Sequence, residues 1–257
     1  MIASLFDTSM LDENSRLTGN VGLNPISYGE VGAKSIILGG FLFVRSRKLF
    51  MKIIVIAVIL LGFATLGRAA SRGPLLSLFI VTFFYFIAAR KNPVVAILTF
   101  LFSCVFIIVF QQYIIDLLGF LSPTLKLRVE ASLYENDSSD RGELFIGGIN
   151  QFLDHPLFGN YFVLYPESGK GINTHNMIID VFMSLGMIGG LLLIVLMIKG
   201  IASSYKIIKM RSSINWIACL FVFSVISSMV STSFYMDPFF SVMLFLTIAA
   251  TSKLNLN

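Results

Sequence analysis

Long apolar runs separated by short polar connections make up most of the sequence. A helix needs about 20 mostly apolar residues to cross a hydrocarbon core of roughly 30 Å. Seven stretches approach that length with few charges, and they cover residues 26–44, 49–67, 74–89, 93–118, 176–198, 214–231 and 235–251. The pattern therefore predicts an all-α integral membrane protein with about seven transmembrane helices.

One long polar stretch interrupts this pattern between the fourth and fifth apolar runs. It predicts a single sizeable loop outside the membrane, from about residue 119 to residue 175. The chain then divides into three parts. These are an N-terminal membrane region with about four spans (1–118), the large loop (119–175) and a C-terminal membrane region with about three spans (176–257).

The first apolar run is the weakest of the seven because it contains Glu30 and Lys34. Residues four apart lie on the same face of a helix and can pair there. Pairing lowers the cost of placing two charges in the membrane. The spacing therefore predicts an ion pair between Glu30 and Lys34.

The distribution of basic residues predicts which loops face the cytoplasm. The chain is 56% hydrophobic and only 13% charged, against about a quarter charged in soluble domains. Eleven of the 19 Lys and Arg residues lie in connections without Asp or Glu, at positions 45, 47, 48, 52, 90, 91, 199, 206, 209, 211 and 253. Loops rich in Lys and Arg stay in the cytoplasm, so the large loop is predicted to be periplasmic and the C-terminus cytoplasmic. Because topology accounts for much of the net charge of +5, we expect no nucleic-acid partner.

The same rule places the N-terminus outside, although its first residues show neither the basic nor the apolar region of an export signal. We therefore expect the chain to be the C-terminal part of a longer multi-span protein, or a shortened member of its class. Cys104 and Cys219 both fall in predicted spans, which implies no disulfide or metal framework. The sequence also lacks a nucleotide-binding P-loop, an HExxH motif and a CxxC motif.

Four arginines are predicted at the outer membrane boundary: Arg16, Arg68, Arg72 and Arg141. Guanidinium groups bind phosphate in a forked geometry and stay charged, so these residues could hold a phosphorylated lipid headgroup. The alternative is that each arginine only anchors the protein to lipid phosphates, as basic side chains at an interface commonly do.

The segment NTHNMIIDVFMSLGMIGG, residues 173–190, brings His175, Asn176 and Asp180 to the start of the fifth run. Histidine accepts and donates protons near neutral pH, and this position would set His175 beside a lipid-borne substrate. The alternative is that the THN triplet only caps the helix. Asp180 could simply be hydrogen-bonded within the bundle, and Gly186 with Gly190 could mark close helix packing. We interpret His155 as a surface residue of the loop.

Taken in order, four motifs resemble a known family. They are RLTG followed by NP (16–25), GRAASRGP (67–74), an Arg-led amphipathic stretch into HPLFGN (141–160) and HNMIIDVFMSLGMIGG (175–190). Their order and sidedness are similar to the C-terminal part of the O-antigen ligase and polysaccharide polymerase family. Members are glycosyltransferases of the bacterial inner membrane.

The resemblance implies a GT-C-like membrane fold and a glycan donor on undecaprenyl pyrophosphate at the periplasmic face. It implies that Arg141 and His175 are catalytic, and that Arg16, Arg68, Arg72 and Asn176 bind substrate. The acceptor is another lipid-linked glycan or the lipid A core. A chain-length regulator and a flippase are further candidate partners. No cofactor is expected, and no metal is needed if preorganised arginines stabilise the leaving pyrophosphate.

Three functions remain open from the sequence. A polymerase is favoured over a ligase because polymerases serve both capsule and O-antigen pathways. A transporter or flippase is the alternative of another class, motivated by Glu30 and Lys34 within the membrane. A non-catalytic assembly subunit is the third, because relatives usually have ten or more spans.

Overall fold

A computed structural model of the chain describes residues 25–90, 93–109, 111–121, 126–127, 130, 141–165, 171–230 and 237–254. The named elements in these ranges are all helices: α1 (Pro25–Arg45), α2 (Leu49–Ala69), α3 (Arg72–Ala89), α4 (Pro93–Val109), α5 (Gln111–Leu121), α6 (Arg141–Asp154), α7 (Met177–Lys209), α8 (Asn215–Val230) and α9 (Pro238–Leu254). A lone β-bridge joins Leu164 and Ile172. The predicted all-α class is confirmed for the described residues.

Three of the described helices are long and apolar enough to cross a membrane, namely α2, α3 and α7. Helices α8 and α9 are apolar but shorter. The membrane character predicted from the apolar runs therefore holds, whereas the count of seven spans stays a prediction. Helices α4 and α5 cover the fourth predicted span, and residue 110 lies outside the described residues.

The chain forms two compact units, residues 1–137 and residues 138–257. The first contains α1 to α5 and the second α6 to α9. The three-part division predicted from the sequence remains a prediction beside this one.

In the first unit, α1 packs closely on α2 because glycines face each other. A Cβ atom built on Gly32 would lie 2.7 Å from the carbonyl oxygen of Gly62, and one built on Gly62 would lie 2.9 Å from the carbonyl oxygen of Gly32. Any larger residue at either position would push the two backbones apart. The predicted ion pair is confirmed, since Lys34 Nζ lies 2.8 Å from Glu30 Oε2.

An exposed ion pair lies at the end of this unit. Lys126 Nζ donates a hydrogen bond of 2.6 Å to Asp116 Oδ1 and lies 3.8 Å from Glu130 Oε1. The bond to Asp116 is the largest of the effects that raise the pKa of Lys126 above its ordinary value.

In the second unit, α7, α8 and α9 pack against one another, and α6 lies on α7. The rings of Phe221 and Phe240 lie 6.0 Å apart in the buried interior. Gly200 lets α7 approach them, because a Cβ atom there would lie 2.5 Å from the Phe221 ring.

Helix α7 is longer than the fifth span predicted from the sequence. The fifth span was predicted to end at residue 198 and to be followed by a basic connection, but the helix continues to Lys209. Ile207 and Ile208 are buried while Lys206 and Lys209 are exposed. The lysines therefore lie on the exposed face of a helix whose other face is still buried. The length of the apolar run alone underestimates the length of this helix.

The large loop predicted at 119–175 also contains regular structure. Helix α6 occupies its centre, beginning at Arg141, where the sequence showed an Arg-led amphipathic stretch. Residues 122–125, 128–129, 131–140 and 166–170 lie outside the described residues.

Candidate functional site

The α2–α3 connection carries Arg68 and Arg72 in the first unit. Ala70 ends α2 in the left-handed conformation (φ 46°), and its N–H donates to Gly67 O at 3.1 Å. Buried Ser71 follows, and α3 begins at Arg72. Both arginines are partly buried. Arg68 suits the negative end of α2, whereas Arg72 lies at the positive end of α3, where a helix favours anions. The predicted role of Arg72 in binding donor phosphate stays a prediction.

Helix α7 in the second unit begins with an N-cap formed by the side chain of Asn176. Asn176 Oδ1 accepts hydrogen bonds from the N–H groups of Ile178 (3.1 Å) and Ile179 (3.2 Å). The THN triplet therefore does cap the helix, through Asn176, and the catalytic role of His175 stays a prediction. His175 precedes the cap in the left-handed conformation, with φ 57°. Histidine adopts that conformation more readily than most residues do.

A buried pair of side chains supports this turn from inside. Thr174 Oγ1 donates to Asp180 Oδ1 at 2.6 Å, and the Thr174 N–H donates to the same oxygen at 3.3 Å. The Thr174 hydroxyl also accepts from the Asn176 N–H at 3.3 Å. Asp180 was interpreted as hydrogen-bonded within the bundle, which is confirmed. Its partner Thr174 was missed, because Thr174 lies outside the helical repeat.

Arg141 and Asn176 both bind the carboxyl end of α8. Arg141 Nη1 donates to Val230 O at 2.9 Å, and Asn176 Nδ2 donates to Met229 O at 3.2 Å. Two adjacent carbonyls that the helix leaves unpaired thus receive donors from α6 and from the cap of α7. The structure therefore brings two predicted site residues to one place and gives each a structural contact there.

Residues 174–176, which we name the His175 turn, are approached closely by α6, and this approach depends on Gly148. A Cβ atom at that position would lie 2.6 Å from Ile179 Cγ2 and 2.9 Å from Thr174 Cγ2. The ring of Phe152 on α6 also meets that of Phe182 on α7 at 5.3 Å, nearly perpendicular. Helix α6 is thereby held against both the turn and the first part of α7.

After α6, the chain docks into a break in α7. Gly186 has φ 63° and ψ −163°, which interrupts the helix. In a regular helix, Met187 N–H would donate to Met183 O. Instead, Met183 O accepts from Asn160 N–H at 3.0 Å, and Met187 N–H donates to Pro156 O at 2.7 Å. We name this contact between residues 156–160 and 183–187 the loop–helix joint.

The joint changes the interpretation of Gly186 and Gly190, whose spacing in the sequence indicates close helix packing. Gly186 contacts the loop backbone, since a Cβ atom there would lie 2.4 Å from Leu157 O, and Gly190 lies against the ring of Phe182 on its own helix. The interpretation as a helix-packing motif is wrong for these contacts. His155 is exposed beside the joint, as predicted for a surface loop residue.

The predicted site residues lie in different parts of the chain. Arg16 lies outside the described residues. Arg68 and Arg72 belong to the first unit, and Arg141, His175 and Asn176 to the second. Their assignments as catalytic or substrate-binding residues stay predictions. Asn176 has already used both acceptor positions of Oδ1 and one Nδ2 hydrogen in described contacts, so a substrate would meet its second Nδ2 hydrogen.

Within the ranges that the structure describes, no group of three or more His, Cys, Asp and Glu residues could hold a metal ion. A protein-family model described as O-antigen ligase matches residues 56–194, more than half of the chain. The chain belongs to the O-antigen ligase family. The match runs from α2 into α7 and includes every predicted site residue except Arg16. No curated protein and no solved structure is found to match the chain.

The family assignment confirms the resemblance inferred from the four motifs. It supports a membrane protein of O-antigen ligase or polymerase type. Of the motifs, GRAASRGP, HPLFGN and the HN segment lie inside the matched range, and RLTG lies before it.

Proposed function

We propose that this protein is a glycosyltransferase that polymerises undecaprenyl-pyrophosphate-linked oligosaccharide repeat units at the periplasmic face of the bacterial inner membrane. The O-antigen ligase family match and the apolar helices support a membrane enzyme of this type. The periplasmic placement rests on the distribution of basic residues along the sequence.

The observation that carries the proposal is the His175 turn. His175 is half-buried and lies between the buried Thr174 and the cap residue Asn176, just before the N-terminus of α7, the longest of the described helices. In the proposed reaction, an acceptor hydroxyl attacks the anomeric carbon of the donor sugar. The bond from that carbon to the pyrophosphate oxygen breaks, and the hydroxyl proton passes to His175.

Arginines supply the second requirement, because negative charge grows on the leaving pyrophosphate. Arg141 is exposed, and its Nη1 donates to Val230 O at the end of α8. We assign it to the leaving group, and we assign donor binding to Arg16, Arg68 and Arg72. Fixed guanidinium groups stabilise such charge without rearranging during the reaction.

The sharpest test of this chemistry is His175→Asn. Asparagine tolerates the left-handed backbone of position 175 and forms hydrogen bonds, but it cannot take a proton at neutral pH. We expect a folded, inserted protein whose turnover falls by a factor on the order of 10² to 10⁴, the range for losing a general base. The measurement is polymer formation from purified lipid-linked repeat units in proteoliposomes. Wild-type turnover in this variant would contradict the role of His175.

A ligase is the second candidate, because the O-antigen ligase family match supports ligase and polymerase chemistry alike. A ligase would transfer the finished glycan to the lipid A core rather than to another lipid-linked unit. Deletion in the host separates the two activities on a polysaccharide gel. Loss of long chains with single-unit glycans retained would indicate the polymerase, and long chains accumulating on the lipid carrier would indicate the ligase.

A further inference from the structure

Asp180 is a buried carboxylate for which the proposed reaction has no direct use. Asp180 as a residue is 1% exposed, and its partner Thr174 is 0% exposed. Oδ1 accepts both Thr174 bonds, whereas Oδ2 is buried and has no hydrogen-bond partner among the described residues. Burying a carboxylate with an oxygen left unpaired costs free energy. An apolar residue at this position would avoid that cost.

Capping the helix does not require Asp180. Asn176 already accepts the N–H groups of Ile178 and Ile179. What Asp180 adds is a fixed position for Thr174, whose hydroxyl in turn accepts the Asn176 N–H. The residues on both sides of His175 are therefore tied to one carboxylate oxygen.

The backbone of His175 shows why such a tie matters. A left-handed φ at a non-glycine residue is a strained conformation that persists only where its surroundings impose it. Here the Thr174–Asp180 bonds fix the chain before His175, and the cap fixes the chain after it. Without the first tie, the turn could relax and move the imidazole.

We infer that Thr174 and Asp180 are positioning residues. They hold His175 in the geometry in which it can take the proton of the acceptor hydroxyl. This inference rests on the proposed function, since it gives the two residues a purpose only if His175 acts in glycosyl transfer. Neither residue is required to touch the substrate. Both act through the conformation of the His175 turn.

The test replaces only the hydroxyl group. Thr174→Val keeps the shape of the side chain and its methyl contact near Gly148, but it removes the donor to Asp180. We expect turnover per folded protein to fall about 10- to 100-fold, as misplacing a catalytic group by about 1 Å can do. Thr174→Ser restores the hydroxyl and should restore most of the rate.

A control from the same helix separates positioning from loss of stability. Ser184→Ala also removes a buried hydroxyl, which donates to Asp180 O at 2.7 Å without reaching the turn. It should leave the rate per folded protein close to that of the wild type. Thermal unfolding in detergent is measured for each variant, so that folded protein can be counted.

A double-mutant cycle with His175→Asn decides the inference. If Thr174 acts through His175, adding Thr174→Val to His175→Asn lowers the residual rate no further. A wild-type rate in Thr174→Val, or equal rate losses with and without His175, would overturn the positioning role while leaving the proposed function intact. Full activity of His175→Asn would overturn both.

Discussion

Replacing Gly186 by alanine tests the loop–helix joint that holds residues 156–160 in the break of α7. Gly186 has φ 63° and ψ −163°, a region that is open essentially to glycine alone. The added methyl group would lie 2.4 Å from both the carbonyl carbon and the carbonyl oxygen of Leu157. Those atoms are backbone, so the loop itself must move away.

The expected cost follows from two terms. The strained backbone conformation costs about 1–3 kcal/mol for a residue with a side chain. Moving the loop weakens the bonds from Asn160 N–H to Met183 O and from Met187 N–H to Pro156 O, each worth about 0.5–1.5 kcal/mol. The free energy of unfolding should therefore fall by about 2–6 kcal/mol.

The assay is denaturant unfolding of the purified protein in mild detergent, with Gly142→Ala as the matched control. Gly142 lies in the first turn of α6, where a Cβ atom would meet nothing within 4 Å. That variant should match the wild type or gain up to about 1 kcal/mol. A loss below about 1 kcal/mol in Gly186→Ala would show that the loop does not occupy the break as described.

Arg141→Ala should abolish chain extension, and Arg141→Lys should recover part of it, because Lys has no forked donor set; polymer gels normalised to membrane protein level report this, and full activity of the alanine variant would exclude a catalytic role. Reporter fusions after residues 47, 90 and 209 should read cytoplasmic and fusions near residues 70 and 140 periplasmic, whereas a cytoplasmic signal near residue 140 would reverse the orientation. Lys34→Met should cost about 1–3 kcal/mol by leaving Glu30 without its 2.8 Å partner. The double variant Glu30→Gln/Lys34→Met should be more stable than Lys34→Met and keep polymer formation; loss of activity despite normal folding would favour the transporter alternative.

Local rules predicted the features that depend on neighbouring residues. Apolar runs gave the helices, the four-residue spacing gave the Glu30–Lys34 pair, and the THN triplet indicated a cap. These features arise within one or two helical turns, so the sequence near each position contains their cause. The end of α7 was missed because its lysines stop an apolar run without stopping an amphipathic helix.

Contacts between distant segments could not be predicted in this way. Arg141 meets Val230 across 89 positions, and nothing near Arg141 identifies a helix end as its partner. Gly186 looked like a packing glycine, because close packing and a left-handed break both require the smallest residue. Only the position of the 156–160 loop distinguishes the two. Thr174 was likewise visible only once the turn brought it to Asp180.

The contact between Gly32 and Gly62 has a consequence for biosynthesis. Helix α1 carries Glu30, Lys34 and Arg45 and is not among the three described helices that are apolar enough to cross a membrane. Helix α2 follows after three residues and meets that criterion. Polar residues raise the cost of inserting a lone segment, whereas backbones that touch at glycines gain close packing in lipid. We therefore expect the translocon to release α1 into the bilayer together with α2, as a preassembled hairpin.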